Sequence, residues 1–145
     1  IQEQMLVKSD KLPWLNMAAY SDLVFERILA QFKSVKPSEL TFYDRSAFDV
    51  LAYLRFGGCE WPESMLRAIK QIQYYPKVFI APFWEEIYQT DNERKEDLSK
   101  AKAIEKHLVE TYEAFNFEVC VLPKVSVSAR LDFLNQQIPE LQLPN

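Results

Sequence analysis

The sequences KVFIA at residues 77–81 and FEVCVL at residues 117–122 are the two most strand-like runs in this 145-residue chain, and a proline follows each of them. Short continuous apolar runs are typical of strands in a parallel sheet, because helices cover both faces of such a sheet. Between them, residues 98–115 carry apolar side chains at helical spacing. A strand, a helix and a second strand in this order predict a βαβ crossover unit.

The flanking segments extend this alternation of strands and helices. The β-rich run LTFY predicts a further strand at residues 40–44, which ends in a charged pair. Apolar periodicity, proline positions and Gly57-Gly58 predict helices at residues 1–8, 19–33, 48–56, 63–73 and 125–137. The chain therefore has an α/β pattern, with more helix than three strands normally require.

Composition predicts one folded domain over residues 1–145. The chain is 48% hydrophobic and 26% charged, which is enough apolar material for a core and argues against disorder. The formal net charge is −4. Because nucleic acids are bound mainly by neutralising their phosphates, this charge argues against a nucleic acid as the main partner.

The few metal-binding and redox residues do not form a motif. Cys59 and Cys120 are far apart, and His107 is the single histidine. This set does not make a zinc site, and we expect both thiols to be reduced in a cytoplasmic protein. Cys120 is expected in the core and His107 on the surface. No apolar run is long enough to span a membrane, and no signal peptide opens the sequence.

Glycine is scarce, and this bears on phosphate binding. Gly57 and Gly58 are the only glycines, and no Gly-Lys-Ser/Thr sequence lies near them. A phosphate-cradling loop needs several glycines, so these residues contain no Walker A loop. The chain also opens inside a helix-like pattern at Ile1, with no capping residue before it, which we interpret as a sign that the chain was cut upstream.

Polar residues at strand ends are the candidate site residues, because ligands of open parallel sheets bind beyond the carboxyl ends of the strands. Asp44 and Arg45 lie at the end of the strand predicted at residues 40–44. The carboxylate suits Mg²⁺ binding or proton transfer, and the guanidinium suits a phosphate. The alternative is that Asp44 caps the following helix, and the spacing alone slightly favours this alternative.

The other strand ends leave similar alternatives open. Arg94 and Lys95 come after the strand predicted at residues 77–81. They suit a lid that closes over a phosphate chain, or they belong to a solvated charged loop. Trp84 and Tyr88 suit stacking on a base or packing on the body of the protein. At the end of the strand predicted at residues 117–122, residues 122–126 form either a loop around an adenine or a plain turn.

Taken together, these segments resemble a known family. The matching residues run along nearly the whole chain: Glu3, Gln4, Leu12, Pro13, Trp14, Tyr43, Asp44, Arg45, Asp49, Val78, Phe79, Pro82, Phe83, Trp84, Ile87, Tyr88, Thr90, Asp91, Glu93, Arg94, residues 108–112, Leu122, Pro123, Val127, Arg130 and Phe133. In this order they resemble the AAA-type P-loop ATPase/kinase domain family related to the kinase domain of NadR.

The resemblance implies a role for each motif. Asp44 corresponds to a carboxylate near Mg²⁺ and the transferred phosphoryl group, and Arg45 would contact phosphate of an acceptor. Asp49 completes the family's Asp-Arg-x-x-x-Asp pattern. Asp91 and Arg94 resemble the lid motif of P-loop kinases, whose arginine reaches the nucleotide phosphates.

Two further features follow from the resemblance. Pro123 and Lys124 lie where such folds often border the adenine. Ser46 departs from the family pattern, which usually has glycine at this position. The implied catalytic residues are thus Asp44, Arg45 and Arg94, and the implied cofactor-binding residues are Asp49, Asp91, Lys95, Pro123 and Lys124.

The implied fold is a P-loop NTPase-like three-layer α/β/α parallel sheet with a lid at about residues 83–97, and the implied cofactors are ATP and Mg²⁺. Family members open with a strand and a Gly-rich loop that this chain does not contain. We therefore expect an incomplete sheet, which a domain-swapped homodimer would complete.

Three functional interpretations remain open. The first is a kinase-like P-loop NTPase that transfers a phosphoryl group to an unknown small-molecule acceptor or hydrolyses ATP. The second is a regulatory module that binds a nucleotide or a protein without turnover. The third is an unrelated α/β protein, in which Asp44 and Arg94 would lie far apart.

Overall fold

The computed structural model describes residues 1–36, 40–87 and 98–138. The helices are α1 (Gln2–Leu6), α2 (Met17–Ser34), α3 (Ala47–Phe56), α4 (Glu63–Ile69), α5 (Leu98–Ala114) and α6 (Val127–Gln137). The strands are β1 (Lys77–Ile80) and β2 (Glu118–Val121), and a 3₁₀ turn covers Glu85–Ile87.

The two strands form a parallel pair. The Glu118 N–H donates to the Pro76 carbonyl at 2.8 Å, and the Leu122 N–H donates to the Ile80 carbonyl at 2.9 Å. At the start of the pair, Lys77 Nζ lies 3.0 Å from a Glu118 carboxylate oxygen. Since α5 lies between β1 and β2 in sequence and packs on β2, the predicted βαβ unit is confirmed.

The strand predicted at residues 40–44 is wrong. Residues 40–43 form no strand, and the side chains of Leu40 and Phe42 are 60% and 54% exposed. Its β-branched and aromatic composition is suited to a strand, but a strand also needs a hydrogen-bonded neighbour. Within the described ranges, the sheet contains β1 and β2 alone.

The predicted helices are confirmed with small changes at their ends. The helix predicted at residues 63–73 ends earlier, at Ile69, where the Ile72 N–H bonds to the Ile69 carbonyl and closes a turn. His107 is half-buried rather than on the surface, because its ring packs edge-on against Phe56 at 6.0 Å. Cys120 is half-buried on β2 and does not join the fully buried core.

The core is built around α3, which lies against both α2 and α5. Five α3 side chains besides Phe48 are almost fully buried: Ala47, Val50, Leu51, Ala52 and Leu54. Phe48 is surrounded by four aromatic rings at 4.8–6.0 Å: Tyr74, Tyr112, Phe115 and Phe117. Such pairs add to the hydrophobic gain of burying the rings, so α3 is firmly fixed and can position residues at its N-terminus.

Thr111 on α5 gives a prediction about this core. Its side chain is fully buried, and its hydroxyl oxygen has no hydrogen-bond partner among the described residues. An unpaired buried hydroxyl is unfavourable. We expect Thr111→Val, which has nearly the same shape, to leave the free energy of unfolding unchanged or raise it by about 1 kcal/mol. Chemical denaturation measures this, and a loss above about 1 kcal/mol would show that the hydroxyl is satisfied in solution.

Candidate functional site

A cleft of about 660 Å³ opens at the carboxyl end of β1. It lies between α2, the first turns of α3, and α5. Its apolar wall includes Val24, Ile28, Val50, Ile80, Ile104 and Leu108, and its aromatic and polar rim includes Tyr20, Arg45, Asp49, Tyr53, Trp84 and Glu105. The carboxyl edge of a parallel sheet is the usual ligand site of α/β folds.

The start of α3 forms the base of the polar rim. Ser46 is the N-cap residue: its Oγ accepts the Phe48 N–H at 3.0 Å, and its own N–H donates to Asp49 Oδ2 at 2.8 Å. This reciprocal pair is a capping box. The alternative interpretation of Asp44 as the helix cap is therefore wrong, because Ser46 performs that role two residues later.

Tyr112 from α5 joins the same group of polar atoms. Its hydroxyl lies 2.5 Å from Asp49 Oδ2 and 2.7 Å from Ser46 Oγ. A carboxylate oxygen only accepts, so Tyr112 donates to Asp49 and must accept from the Ser46 hydroxyl. Burial raises the pKa of the Tyr112 hydroxyl far above its usual range, and the Asp49 charge adds to this. The hydroxyl therefore remains a donor at all ordinary pH values.

Arg45 is the cationic side chain of the described cleft lining. Its backbone has φ 72°, a left-handed value that non-glycine residues rarely adopt. The guanidinium lies 5.3 Å from the centre of the Tyr53 ring, and Nη1 donates to the Tyr53 hydroxyl at 3.1 Å. Partial burial works to lower the pKa of Arg45, but Tyr53, Asp49 and Asp44 outweigh it and raise that pKa. The guanidinium is thus held as a cation at the rim.

The opposite rim comes from the segment after β1. The Phe83 N–H donates to Glu105 Oε2 at 2.7 Å, which ties this segment to α5. Trp84 is half-buried, and the Arg130 guanidinium lies 4.9 Å from the centre of its ring. This contact with Arg130 matches the expectation that Trp84 packs on the body, while its place in the cleft lining leaves part of its surface toward a ligand.

The predicted site residues divide into three groups. Arg45 and Asp49 both line the cleft. Asp44 is next to Arg45, but its exposed side chain is not part of the lining. Pro123 and Lys124 also lie outside the lining, so the structure does not bring them to this cleft.

The predicted lid residues Asp91, Arg94 and Lys95 lie outside the described residues. Tyr88 also falls in this range. The lid role of residues 83–97 therefore stays a prediction, as does the distance between Asp44 and Arg94.

The described ranges contain no group of three or more His, Cys, Asp and Glu side chains arranged to hold a metal ion. This finding bears on how Mg²⁺ would bind. This ion needs only one or two carboxylates when nucleotide phosphates and water complete its coordination, and exposed Asp44 fits that requirement.

Three contacts at the site were missed by sequence reasoning. Ser46 and Asp49 have the Ser-x-x-Asp spacing of a capping box, so that signal was present in the sequence. The contact between Tyr112 and Asp49 joins residues 63 positions apart and has no local signal. Tyr53 lies eight positions after Arg45, two helical turns along α3, and only the geometry shows that they meet.

Comparison with known families places the chain. A family model described as an AAA domain matches residues 1–130. The chain belongs to this AAA-domain family. Membership supports a nucleotide-binding domain of the P-loop class and is compatible with the helix-rich α/β fold and its small parallel sheet. The search found no matching curated protein and no matching solved structure.

The family match bears out the AAA-type part of the sequence-based resemblance. The narrower relation to the NadR kinase domain stays a prediction. Among the helices that the structure describes, none combines the length and the apolar character required to cross a bilayer.

Proposed function

We propose that the cleft at the carboxyl end of β1 binds a nucleotide, with ATP as the expected ligand, and that this AAA-domain protein acts in phosphoryl transfer or ATP hydrolysis. The single observation that carries the proposal is Arg45. It supplies a fixed positive charge at the sheet edge where α/β folds bind ligands, in a chain that belongs to a P-loop family.

Arg45 suits a phosphate group for chemical reasons. A guanidinium offers several N–H donors in a planar fork that matches phosphate oxygens. One of its nitrogens already donates to the Tyr53 hydroxyl, which limits the motion of the side chain and leaves other donors for a ligand. A charge held in place stabilises negative charge on a phosphoryl group more effectively than a mobile one.

The two neighbouring carboxylates have different parts in this proposal. Asp44 is exposed and would hold Mg²⁺ through water, and the ion supplies neutralisation of charge on the phosphate oxygens when bound. Asp49 already accepts two hydrogen bonds through one oxygen, from Ser46 and Tyr112. We therefore assign Asp49 to holding the loop in place rather than to direct contact with the nucleotide, which revises the role expected from the sequence.

The aromatic rim suits the non-phosphate part of a ligand. Tyr20, Tyr53 and Trp84 are all half-buried residues of the cleft lining. Aromatic faces of this kind stack on planar rings, including nucleobases. The phosphoryl acceptor, a predicted homodimer and a cytoplasmic location stay predictions.

The test is a titration of Mg·ATP into the wild-type protein and two variants. We expect Arg45→Ala to weaken binding by about tenfold or more, since a hydrogen bond to a charged group contributes roughly 1.5–3 kcal/mol. Arg55→Ala is the matched control. Arg55 lies near the end of α3, whereas Arg45 lies just before its start. The Arg55 guanidinium is 4.7 Å from the centre of the Trp61 ring and does not line the cleft.

We expect the affinity of Arg55→Ala for Mg·ATP to be within about twofold of the wild-type affinity, a difference in binding free energy well below 1 kcal/mol. Equal losses in the two variants would contradict the assignment of Arg45, because a general loss of positive charge would then explain both. An isothermal titration at fixed ionic strength keeps the charge effect comparable.

The second interpretation from the sequence, a module that binds a nucleotide without turnover, would use the same cleft. Release of inorganic phosphate from ATP separates the two functions. Release that Arg45→Ala abolishes supports the enzyme, and tight binding with no release supports the regulatory module.

A further inference from the structure

The left-handed backbone of Arg45 is held from both sides. A non-glycine residue is disfavoured at φ 72° and persists there only where its surroundings fix it. On the N-terminal side, the Tyr43 ring stacks on Phe32, with ring centres 6.2 Å apart, and meets Tyr74 edge-on at 5.6 Å. On the C-terminal side, Ser46 is fixed by the capping box of α3. The left-handed turn of the backbone between these two fixed residues therefore occurs at Arg45.

Tyr112 reinforces the second of these anchors. Asp49 Oδ2 accepts the Ser46 N–H, so the position of this carboxylate orients the peptide plane that follows Arg45. The Tyr112 hydroxyl donates to the same oxygen and accepts from the Ser46 hydroxyl. Its side chain is only 5% exposed, and the ring is packed against Phe117 at 5.4 Å. The hydroxyl is thus a rigid point on α5 that fixes both Asp49 and Ser46.

We propose that Tyr112 is a positioning residue, which acts through Asp49 and Ser46 to hold the Arg45 backbone left-handed and so aims its guanidinium into the cleft. Tyr112 is not part of the cleft lining, so in this proposal it acts without contacting a ligand. The inference rests on the proposed function for the identity of what Arg45 binds. The effect of Tyr112 on the Arg45 backbone needs no ligand, so it can be tested separately from the proposed function.

The experiment compares Tyr112→Phe with Thr111→Val by NMR, without ligand. Tyr112→Phe removes only the hydroxyl, whereas Thr111→Val removes the neighbouring buried hydroxyl, for which the described part of the chain offers no hydrogen-bond partner. The first readout is the intraresidue HN–Hα NOE of Arg45, which is strong when φ is positive because the two protons then lie close together. The second is hydrogen exchange of the Ser46 amide, which reports its bond to Asp49.

We expect Tyr112→Phe to weaken the Arg45 NOE and to speed exchange of the Ser46 amide by about tenfold, the change that corresponds to roughly one lost hydrogen bond. Thr111→Val should match the wild type in both. Should Tyr112→Phe fail to fold, Asp49→Ala removes the shared acceptor at a half-buried position and is expected to change both readouts in the same direction.

A ligand arm then uses inorganic pyrophosphate as the probe. If pyrophosphate binds, Tyr112→Phe should weaken it about three- to tenfold, while Thr111→Val leaves it unchanged. If the wild type binds no pyrophosphate but the two NMR readouts still change, the positioning role stands and the proposed function fails. If Tyr112→Phe gives the same NOE and exchange rate as Thr111→Val, the positioning role is overturned, whatever the pyrophosphate result.

Discussion

Replacing Phe48 by alanine is expected to lower the free energy of unfolding by about 3–5 kcal/mol, the usual range for truncating a buried phenylalanine. Phe48 is 4% exposed and is surrounded by four aromatic rings from the segments that flank it. Truncation would leave a cavity beside Tyr112 and weaken the attachment of α3 to α5. Because a domain of this size is stable by only about 5–15 kcal/mol, such a loss is a large part of the total.

Phe42→Ala is the matched control for this prediction. Phe42 lies six residues earlier, and its side chain is 54% exposed. We expect the control to change the free energy of unfolding by less than about 0.5 kcal/mol, as is usual for surface substitutions. Urea denaturation of both variants measures the difference. A similar small loss in both would mean that Phe48 does not occupy the aromatic core described above.

Tyr112→Phe is expected to give the second largest effect. At neutral pH it removes a hydrogen bond to a carboxylate, which stabilises the fold by roughly 1.5–3 kcal/mol. The pKa of the Tyr112 hydroxyl is raised in the folded protein by burial and by Asp49. The stabilisation is therefore fully present below the unfolded tyrosine pKa of about 10 and is lost as the pH rises above it.

The pH dependence has a definite sign. Above about pH 10, unfolded wild type releases the Tyr112 proton and the folded form keeps it, so the unfolded state is favoured by about 1.4 kcal/mol for each further pH unit. The phenylalanine variant has no hydroxyl at this position, so its stability lacks this pH dependence. The difference in stability between the two proteins should consequently narrow between about pH 10 and 11.5. A difference that stays constant over that range would contradict the raised pKa of this hydroxyl.

The helices were the most predictable part of the fold. Residues 19–33 and 98–115 have apolar side chains at helical spacing, and α2 and α5 occupy almost the same positions. Local pattern is sufficient here, because an amphipathic helix satisfies its backbone hydrogen bonds by itself. The strands at 77–81 and 117–122 were also predictable, because these two segments pair with each other.

Residues 40–44 show where local pattern fails. Leu40, Thr41 and Phe42 have strand-like composition, but a strand depends on pairing with another segment, and no sequence window contains that information. The same limit applies to the site. Asp44 and Arg45 were adjacent candidates, and only the structure shows that the arginine alone lines the cleft.

Asp49 gives the clearest contrast between the two kinds of information. Its spacing from Ser46 predicts a local capping contact, whereas its bond to Tyr112 depends on how α5 packs on α3. Considering both contacts, we propose that Asp49 supports Arg45 rather than contacting the ligand.

The most direct measurement is an NMR titration of Mg·ATP into protein labelled with ¹⁵N at arginine, with Arg45→Ala used to assign the Arg45 Nε–H resonance. We predict that this resonance shifts and saturates with added Mg·ATP, while those of Arg55 and Arg67 stay in place. Arg67 pairs with Glu63 on α4 and, like Arg55, does not line the cleft. Saturable binding of Mg·ATP that leaves the Arg45 resonance unmoved would contradict the assignment of this cleft as the nucleotide site.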